Sequence, residues 1–282
     1  MQWIEDKTSQ YSLIIFFWTV LFSSLIGDSI ILAASIAPNG IRLNRFIVTI
    51  MQHIAVSDLI SCVTFVSPYA ISSITNQYII TGSLVDIRYY LDEVIYQINT
   101  MLITMLSTSK LLFLKFPHQA AKWNNKRGHI ACATVWVFGN VLSGISLALP
   151  DTLYYYYDCF SIAATLVVPV LIMIVTTVLI LLHLNKARRI ARRSKGKTRL
   201  RGVATVVATV IIYCISTVPL TTVAIYEYFD QTTDLRRVWF IISCFSCLNI
   251  MSNIYVYFFT IPSFREYVRV KIFRRPPTRN SR

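Results

Sequence analysis

Four carboxylates lie inside long apolar stretches of the chain, where an ionisable side chain is costly and is by default a functional candidate. They are Asp28, Asp58, Asp92 and Glu93. A carboxylate in such a place can hold a cation, share a proton with a second carboxylate or pair with a cationic ligand. The structural alternative is that the four groups are satisfied by one another, by the backbone or by water.

The composition indicates that these apolar stretches cross a membrane. Of 282 residues, 55% are hydrophobic and only 14% are charged, whereas a soluble domain carries about 25% charged residues. A membrane-spanning helix needs roughly 20 largely apolar residues, and seven segments meet that length. Their predicted bounds are 11–36, 46–74, 84–114, 129–149, 161–184, 202–226 and 238–260.

The positive charges set the predicted orientation. The net charge is +14, and most of the 27 lysine and arginine residues fall between spans 1 and 2, 3 and 4, 5 and 6, or after span 7. The positive-inside rule places these connections and the C-terminus in the cytoplasm. Because the number of spans is odd, the N-terminus is predicted to lie outside the cell, with the protein in the plasma membrane.

The predicted fold class is an all-α, integral membrane bundle of seven transmembrane helices. Residues 1–262 form this domain, and residues 263–282 form a short surface helix and a basic cytoplasmic tail. Helical spacing places Phe264 on one side of that surface helix and Arg265 and Arg269 on the opposite side, which is typical of a helix lying along the inner membrane surface.

Catalysis has no positive support in the sequence. No phosphate-binding loop and no nucleophile motif appears, so the protein is predicted not to be an enzyme. The four histidines are scattered along the chain and have no metal-ligand spacing. They are His53, His118, His129 and His183.

The basic run from Lys186 to Arg201 has two compatible interpretations. It sets the topology and contacts anionic lipid head groups, and it offers a docking surface to an acidic cytosolic partner. Nucleic-acid binding is disfavoured because the run lies between two membrane spans. The docking candidates are Lys186, Arg188, Arg189, Arg192 and Arg193.

Several short motifs and single residues occur in a characteristic order along the spans. Residues 55–59 read Ala-Val-Ser-Asp-Leu, and span 7 carries Asn249, Asn253 and Tyr257 at intervals of four. Together these marks resemble the rhodopsin-like (class A) family of G-protein-coupled receptors, in which the span 7 pattern is Asn-x-x-x-Asn-Pro-x-x-Tyr. The remaining marks are Trp136 in span 4, Pro169 in span 5, Pro219 in span 6 and Phe264 after span 7.

The chain departs from the family at the inner end of span 3. Ser109-Lys110-Leu111 stands where the family carries Asp-Arg-Tyr, and lysine lacks the planar five-donor fork of arginine. Lys110 and Arg199 would repel, so the resemblance predicts a weakened inactive-state lock. The alternative is that Lys110 only extends to the inner head groups. The family's retinal-binding lysine would fall at Cys247, so no retinal is expected.

The resemblance implies an ion site around Asp58, which matches the family's sodium-binding carboxylate. Asn99, Asn249 and Asn253 would complete an oxygen cage, and oxygen ligands suit a hard cation. Asp28 replaces the family's span 1 asparagine and adds a second carboxylate. Because two neighbouring carboxylates in a low dielectric cannot both ionise cheaply, the pair is expected to hold sodium or a shared proton; a purely structural polar network is the alternative. No other cofactor is expected.

The resemblance also places a ligand site in spans 3, 6 and 7. Asp92 lies where amine receptors carry the carboxylate that pairs with a cationic ligand, although Arg88, four residues earlier, is an alternative partner. Predicted ligand-binding residues are Asp92, Glu93, Tyr96, Thr217, Thr221 and Cys247.

Predicted activation switches are Lys110, Tyr213, Pro219 and Tyr257, with Pro219 expected to kink span 6.

The resemblance predicts a receptor for an extracellular small molecule, of chemosensory or amine type, that signals through a heterotrimeric G protein or arrestin. One alternative is a non-signalling or decoy receptor that keeps the fold without the arginine switch. A second alternative is a proton- or sodium-coupled transporter. Such transporters often show internal repeats, and this chain, with 8 glycines, shows no duplication.

Overall fold

The regular secondary structure of the chain is helical, as its apolar segments predict. The computed structural model describes residues 7–37, 40–75, 82–120, 122–190, 197–229 and 236–274, and no strand occurs in these ranges. The helices are α1 (Lys7–Ile36), α2 (Arg45–Ser61), α3 (Ser67–Thr75), α4 (Ser83–Lys115), α5 (Pro117–Ala120), α6 (Asn125–Ala148), α7 (Asp151–Ile162), α8 (Val168–Ile190), α9 (Lys197–Phe229), α10 (Arg236–Thr260) and α11 (Pro262–Tyr267).

Two of the predicted spans contain a wide, π-helical turn just before a proline. Cys62–Val66 joins α2 to α3 and precedes Pro68, and Ala163–Val167 joins α7 to α8 and precedes Pro169. Proline has no N–H group and clashes with the carbonyl four residues earlier. A wider turn relieves this conflict without ending the helix, so each pair of helices remains one continuous rod.

Four helical segments in the described residues have the length and hydropathy of a membrane crossing. They correspond to predicted spans 1, 2, 4 and 5. A fifth results if the last part of α10 is counted together with the helix after it, to which it is bent by 92°. The four segments are Tyr11–Ile36, Arg45–Thr75, Asn125–Ser146 and Cys159–His183.

Predicted span 3 is helical but too polar to qualify by composition. Helix α4 is 33 residues long and carries Arg88, Asp92 and Glu93 in its outer part. Helix α9, which carries predicted span 6, is also 33 residues long, and its described residues include the apolar stretch Val207–Val223. The all-helical fold class is therefore confirmed, and within the described residues length and composition identify four crossings, or five with the bent helix pair.

Helix α4 is the centre of the bundle. It packs against α2, α6, α8 and α9, while α1 and α9 both pack against α10. The main apolar core lies around α4 and includes Ile98, Leu102 and Leu106. Large apolar side chains on the outer helix faces, such as Val137 and Phe259, are exposed. An apolar exterior around a buried polar centre is the arrangement expected when the solvent is lipid.

A short helix follows span 7, at the position where the sequence predicts a surface helix. It consists of α11 and a wide turn, Val268–Ile272, and its buried side includes Phe264 and Val268. Arg265 lies on the exposed side, where its guanidinium donates hydrogen bonds to the carbonyl oxygens of Phe258 and Phe259, at 3.2 and 3.0 Å. These carbonyls are left unpaired where α10 ends, so Arg265 caps α10 and fixes the turn.

A glycine allows α1 to approach α10 closely. A Cβ atom added at Gly27 would lie 2.8 Å from the Cβ of Ile254 and 2.9 Å from its Cγ2. Ile254 occupies the position of the family's span 7 proline, and its neighbour Asn253 faces the polar centre. The small residue at position 27 therefore decides how closely Asp28 can approach the residues of α10.

We predict that Gly27→Ala lowers the melting temperature of the purified protein, because overpacking a close helix contact costs about 1–3 kcal/mol. Gly144→Ala is the matched control, since a Cβ there meets nothing within 4 Å. An unchanged melting temperature for Gly27→Ala would show that the α1–α10 contact is not tight.

Candidate functional site

Asp58 occupies the polar centre of the bundle. Its side chain is 0% exposed, and both carboxylate oxygens accept an amide hydrogen. The Nδ2 atom of Asn99 on α4 donates to Oδ1 at 2.8 Å, and the Nδ2 atom of Asn253 on α10 donates to Oδ2 at 2.5 Å. Asp58 thus connects α2, α4 and α10 by hydrogen bonds to its charged group, which are stronger than neutral ones.

A second carboxylate lies beside this centre. Asp28 on α1 is 1% exposed and close enough to Asp58 for the two charges to interact. Its Oδ2 atom, the Oδ1 atom of Asn99 and the hydroxyl of Tyr257 are all buried without a hydrogen-bond partner among the described residues. Buried polar atoms are almost always satisfied, so three free oxygens around two carboxylates fit a small hard cation, a shared proton or water.

Asn249 does not join Asp58 by a hydrogen bond, although the family resemblance places it in the oxygen cage. It is buried on α10, one turn before Asn253. Four of the five residues predicted for the ion site are therefore adjacent, and Asn249 lies near them without a direct bond to Asp58.

Asp92 is paired within its own helix. The Nε atom of Arg88 lies 3.3 Å from Oδ2 of Asp92, and the same Nε donates to the carbonyl oxygen of Thr64 at 3.1 Å. Arg88 is itself buried, and its guanidinium carbon lies 5.1 Å from the centre of the Tyr69 ring, within cation–π range. A cationic ligand at Asp92 would have to compete with this arginine.

A second polar group ties α4 to α9. The hydroxyl of Tyr213 and Oγ1 of Thr100 share a short hydrogen bond, and Tyr213 is almost wholly buried. The hydroxyls of Tyr96 and Thr217 lie next to that of Tyr213. Thr221, one turn further along α9, is half-buried and donates to the carbonyl oxygen of Thr217 at 2.9 Å. Two predicted ligand residues, Tyr96 and Thr217, thus lie beside a predicted switch residue, Tyr213.

Glu93 and Cys247 point away from this group. The Nε2 atom of Gln97 donates to Glu93 at 2.9 Å and contacts Oγ of Ser161 on α7 at 3.3 Å, so Glu93 faces α7, as its position about 100° around the helix from Asp92 predicts. Cys247 is fully buried in a separate apolar cluster with Phe17 and Cys62. The six predicted ligand residues therefore do not form one continuous pocket wall.

A groove of about 340 Å³ lies elsewhere, between the inner half of α4 and the start of α8. Its lining includes Met105, Leu112, Trp123 and Pro169. None of the predicted ligand residues contributes to it. Pro169 is buried at this groove, and Trp136 on α6 packs at the edge of the main core with its indole N–H unpartnered among the described residues.

Lys110 lies partly exposed at the inner end of α4. Within the described residues no acidic group lies within ion-pair distance of Lys110. The ion pair found in those residues joins Arg88 to Asp92, in the outer part of α4. Helix α9 runs through Pro219 without a break. The side chains of Lys186, Arg188, Arg189 and Arg199, and the whole of Arg192 and Arg193, lie outside the described part of the chain.

Sequence reasoning missed two contributors to these sites. Thr100 was not singled out, because a threonine in an apolar helix carries no signal until its partner Tyr213 is placed opposite. Gly27 carries no signal in the sequence beyond its place next to Asp28, yet its missing side chain allows the close α1–α10 contact. Both roles depend on which residue lies opposite on another helix.

Comparison with known proteins agrees with the resemblance. The family model of the 7 transmembrane receptor (rhodopsin family) matches residues 31–257, a range that includes Asp58, Lys110, Pro219 and Tyr257. No curated protein matches the chain. The match covers well over half of the sequence, so the protein belongs to the rhodopsin family of seven-transmembrane receptors.

Proposed function

We propose that the protein is a G-protein-coupled receptor with seven membrane spans, an extracellular N-terminus and a basic cytoplasmic face. It binds an extracellular small molecule and passes the signal to a heterotrimeric G protein or arrestin. The observation that carries the proposal is Asp58, whose hydrogen bonds join α2, α4 and α10. The seven helices at the predicted spans and the distribution of lysine and arginine support the topology.

The proposed ligand is oriented by hydroxyl groups at the junction of α4 and α9. Tyr96 and Thr217 are the main candidates, because they lie beside Tyr213, whose hydrogen bond to Thr100 joins the two helices. An amine ligand remains an alternative. It would replace Arg88 at Asp92, whose Oδ1 atom is buried without a hydrogen-bond partner in the described residues and would accept a hydrogen bond from the amine.

Activation is proposed to separate the inner halves of α4 and α9. A ligand can drive this change only through differential affinity for the two states, and contacts at Tyr96 and Thr217 would change the Thr100–Tyr213 bond directly. At the inner end Lys110 lacks an acidic partner in the described residues, so it is available for an acidic group of the cytosolic partner.

A non-signalling receptor is the second candidate. It is favoured by Ser109-Lys110-Leu111, which removes the family's arginine switch. Such a protein would bind its ligand and recruit neither G protein nor arrestin.

We expect wild-type receptor in transfected cells to activate at least one G-protein class, or to recruit arrestin, without added ligand. Lys110→Ala should lower that basal signal several-fold, because it removes the charge that meets the partner. The measurement is a panel of biosensors for several G-protein classes and arrestin, normalised to surface expression. Lys115→Ala is the matched control, since Lys115 is exposed at the same helix end beside Phe116.

Two results would count against this proposal. Equal signals from wild type and Lys110→Ala would remove Lys110 from the mechanism. Absence of a signal from every G-protein class and from arrestin, with or without a ligand found by screening, would favour the non-signalling receptor.

The Asp28–Asp58 centre is proposed to bind sodium or to hold a shared proton. If sodium binds, NaCl raises the melting temperature of the wild type above that in choline chloride of equal ionic strength, because the ion binds only the folded state. Asp58→Asn should abolish this rise and Asp28→Asn should reduce it. Asp86→Asn, at an exposed carboxylate in the first turn of α4, should leave it unchanged.

The shared-proton version gives a different pattern in the same assay. The melting temperature would then depend on pH but not on sodium, and Asp28→Asn would remove the pH dependence. If Asp28→Asn alters neither response, the centre is a structural polar network only.

A further inference from the structure

Two histidines from different helices meet on the predicted cytoplasmic side of the bundle. The Nε2 atom of His53 on α2 lies 3.2 Å from the Nδ1 atom of His129 on α6. The two residues are 76 positions apart in the sequence, so no motif spacing predicts their contact. In the described residues, neither ring makes another hydrogen bond to the protein.

The backbones of α2 and α6 hold the two rings in place. Gly128, next to His129, lets the helices approach closely: a Cβ added there would lie 3.0 Å from the Cβ of Thr49. One turn before His53, the hydroxyl of Thr49 donates to Oδ1 of Asn125 at the start of α6. These two contacts fix the positions of the helices, so the distance between the imidazoles does not depend on the side chains alone.

The spacing of the two nitrogens matches one edge of a tetrahedral metal site. Zinc binds imidazole nitrogen at about 2.0–2.1 Å with tetrahedral geometry, which places two ligand nitrogens about 3.3 Å apart. Imidazole also suits copper and nickel. On binding, both facing nitrogens must offer lone pairs, so the one N–H proton between the rings moves to the far nitrogen of its own ring. No net proton is released from two neutral imidazoles.

Access to the pair is open on one side. His129 is exposed and His53 is half-buried, which leaves room for water or another small ligand at the remaining metal positions. Lys126 is one turn before His129 and also exposed, and its positive charge lowers the affinity of the site for a cation. No group of three or more histidine, cysteine or acidic side chains suited to a metal occurs in the described residues, so the protein supplies two ligands here.

We propose that His53 and His129 form a two-histidine site for a borderline divalent metal ion, with Zn²⁺ as the best-fitting example. The bound ion would bridge the inner ends of α2 and α6 and stabilise their contact. This site is separate from the Asp28–Asp58 centre, whose oxygen atoms suit a hard cation.

The test uses full-length receptor purified in lipid nanodiscs and Zn²⁺ alone as the probe. Direct zinc binding and the melting temperature, followed by tryptophan fluorescence, are measured over a range of concentrations. We expect saturable binding with a matching rise in melting temperature. Mg²⁺, which prefers oxygen ligands, should produce neither effect.

Variants at the four histidines provide matched controls. His53→Ala and His129→Ala should each remove the high-affinity zinc binding, whereas His118→Ala and His183→Ala should retain it. His53→Gln is the decisive variant, because the amide can still hydrogen-bond to His129 but is a poor zinc ligand. It should keep the metal-free melting temperature near that of the wild type and lose the zinc-dependent rise.

Two outcomes would overturn the proposal. Absence of saturable binding to the wild type would mean that the pair is only a hydrogen bond between helices. Binding and stabilisation that persist in both His53→Gln and His129→Ala would assign the zinc effect to other groups, such as the cysteines. Neither outcome depends on whether the receptor signals.

Discussion

The rest of this structure depends on one constraint, which is that a carboxylate buried at the centre of the membrane bundle must be hydrogen-bonded. Asp58 has no access to solvent, and a charge left unpaired in the bilayer interior is costly. It is satisfied by Asn99 and Asn253, which come from two other helices. Because these amides must meet one carboxylate, α2, α4 and α10 have to converge at one depth, and Gly27 allows α1 to complete the group.

Because an unpaired polar group is costly in the bilayer interior, other polar side chains of the bundle also have partners. Asp92 is neutralised by Arg88 on its own helix, while Tyr213 is satisfied by Thr100 on α4. Asp28 retains a buried carboxyl oxygen with no hydrogen-bond partner in the described residues, as does Asp92, and near Asp28 the Oδ1 atom of Asn99 and the hydroxyl of Tyr257 are also without a partner there. Three unsatisfied oxygens therefore lie around the Asp28–Asp58 pair, where an ion or a proton could satisfy them.

Local sequence patterns were sufficient to predict much of the fold and part of the candidate site. Apolar runs predicted the helices, residues four apart predicted the Arg88–Asp92 pair, and the family resemblance predicted that Asn99 and Asn253 surround Asp58. Contacts between helices were harder to predict, since they depend on how each helix is rotated about its axis and tilted relative to its neighbours. This is why the histidines showed no metal-ligand spacing in the sequence, whereas the fold places His53 against His129.

The most direct test of the central claim is whether Asp58 and Asn253 act as one unit. Melting temperatures of purified Asp58→Asn, Asn253→Ala and the double variant, measured without sodium, form a double-mutant cycle. If one carboxylate joins the helices, the losses are strongly non-additive, with a coupling of about 0.5–3 kcal/mol, and the double variant is little worse than the more damaging single variant. Additive losses would show that the two residues stabilise the bundle independently and would contradict the role assigned to Asp58.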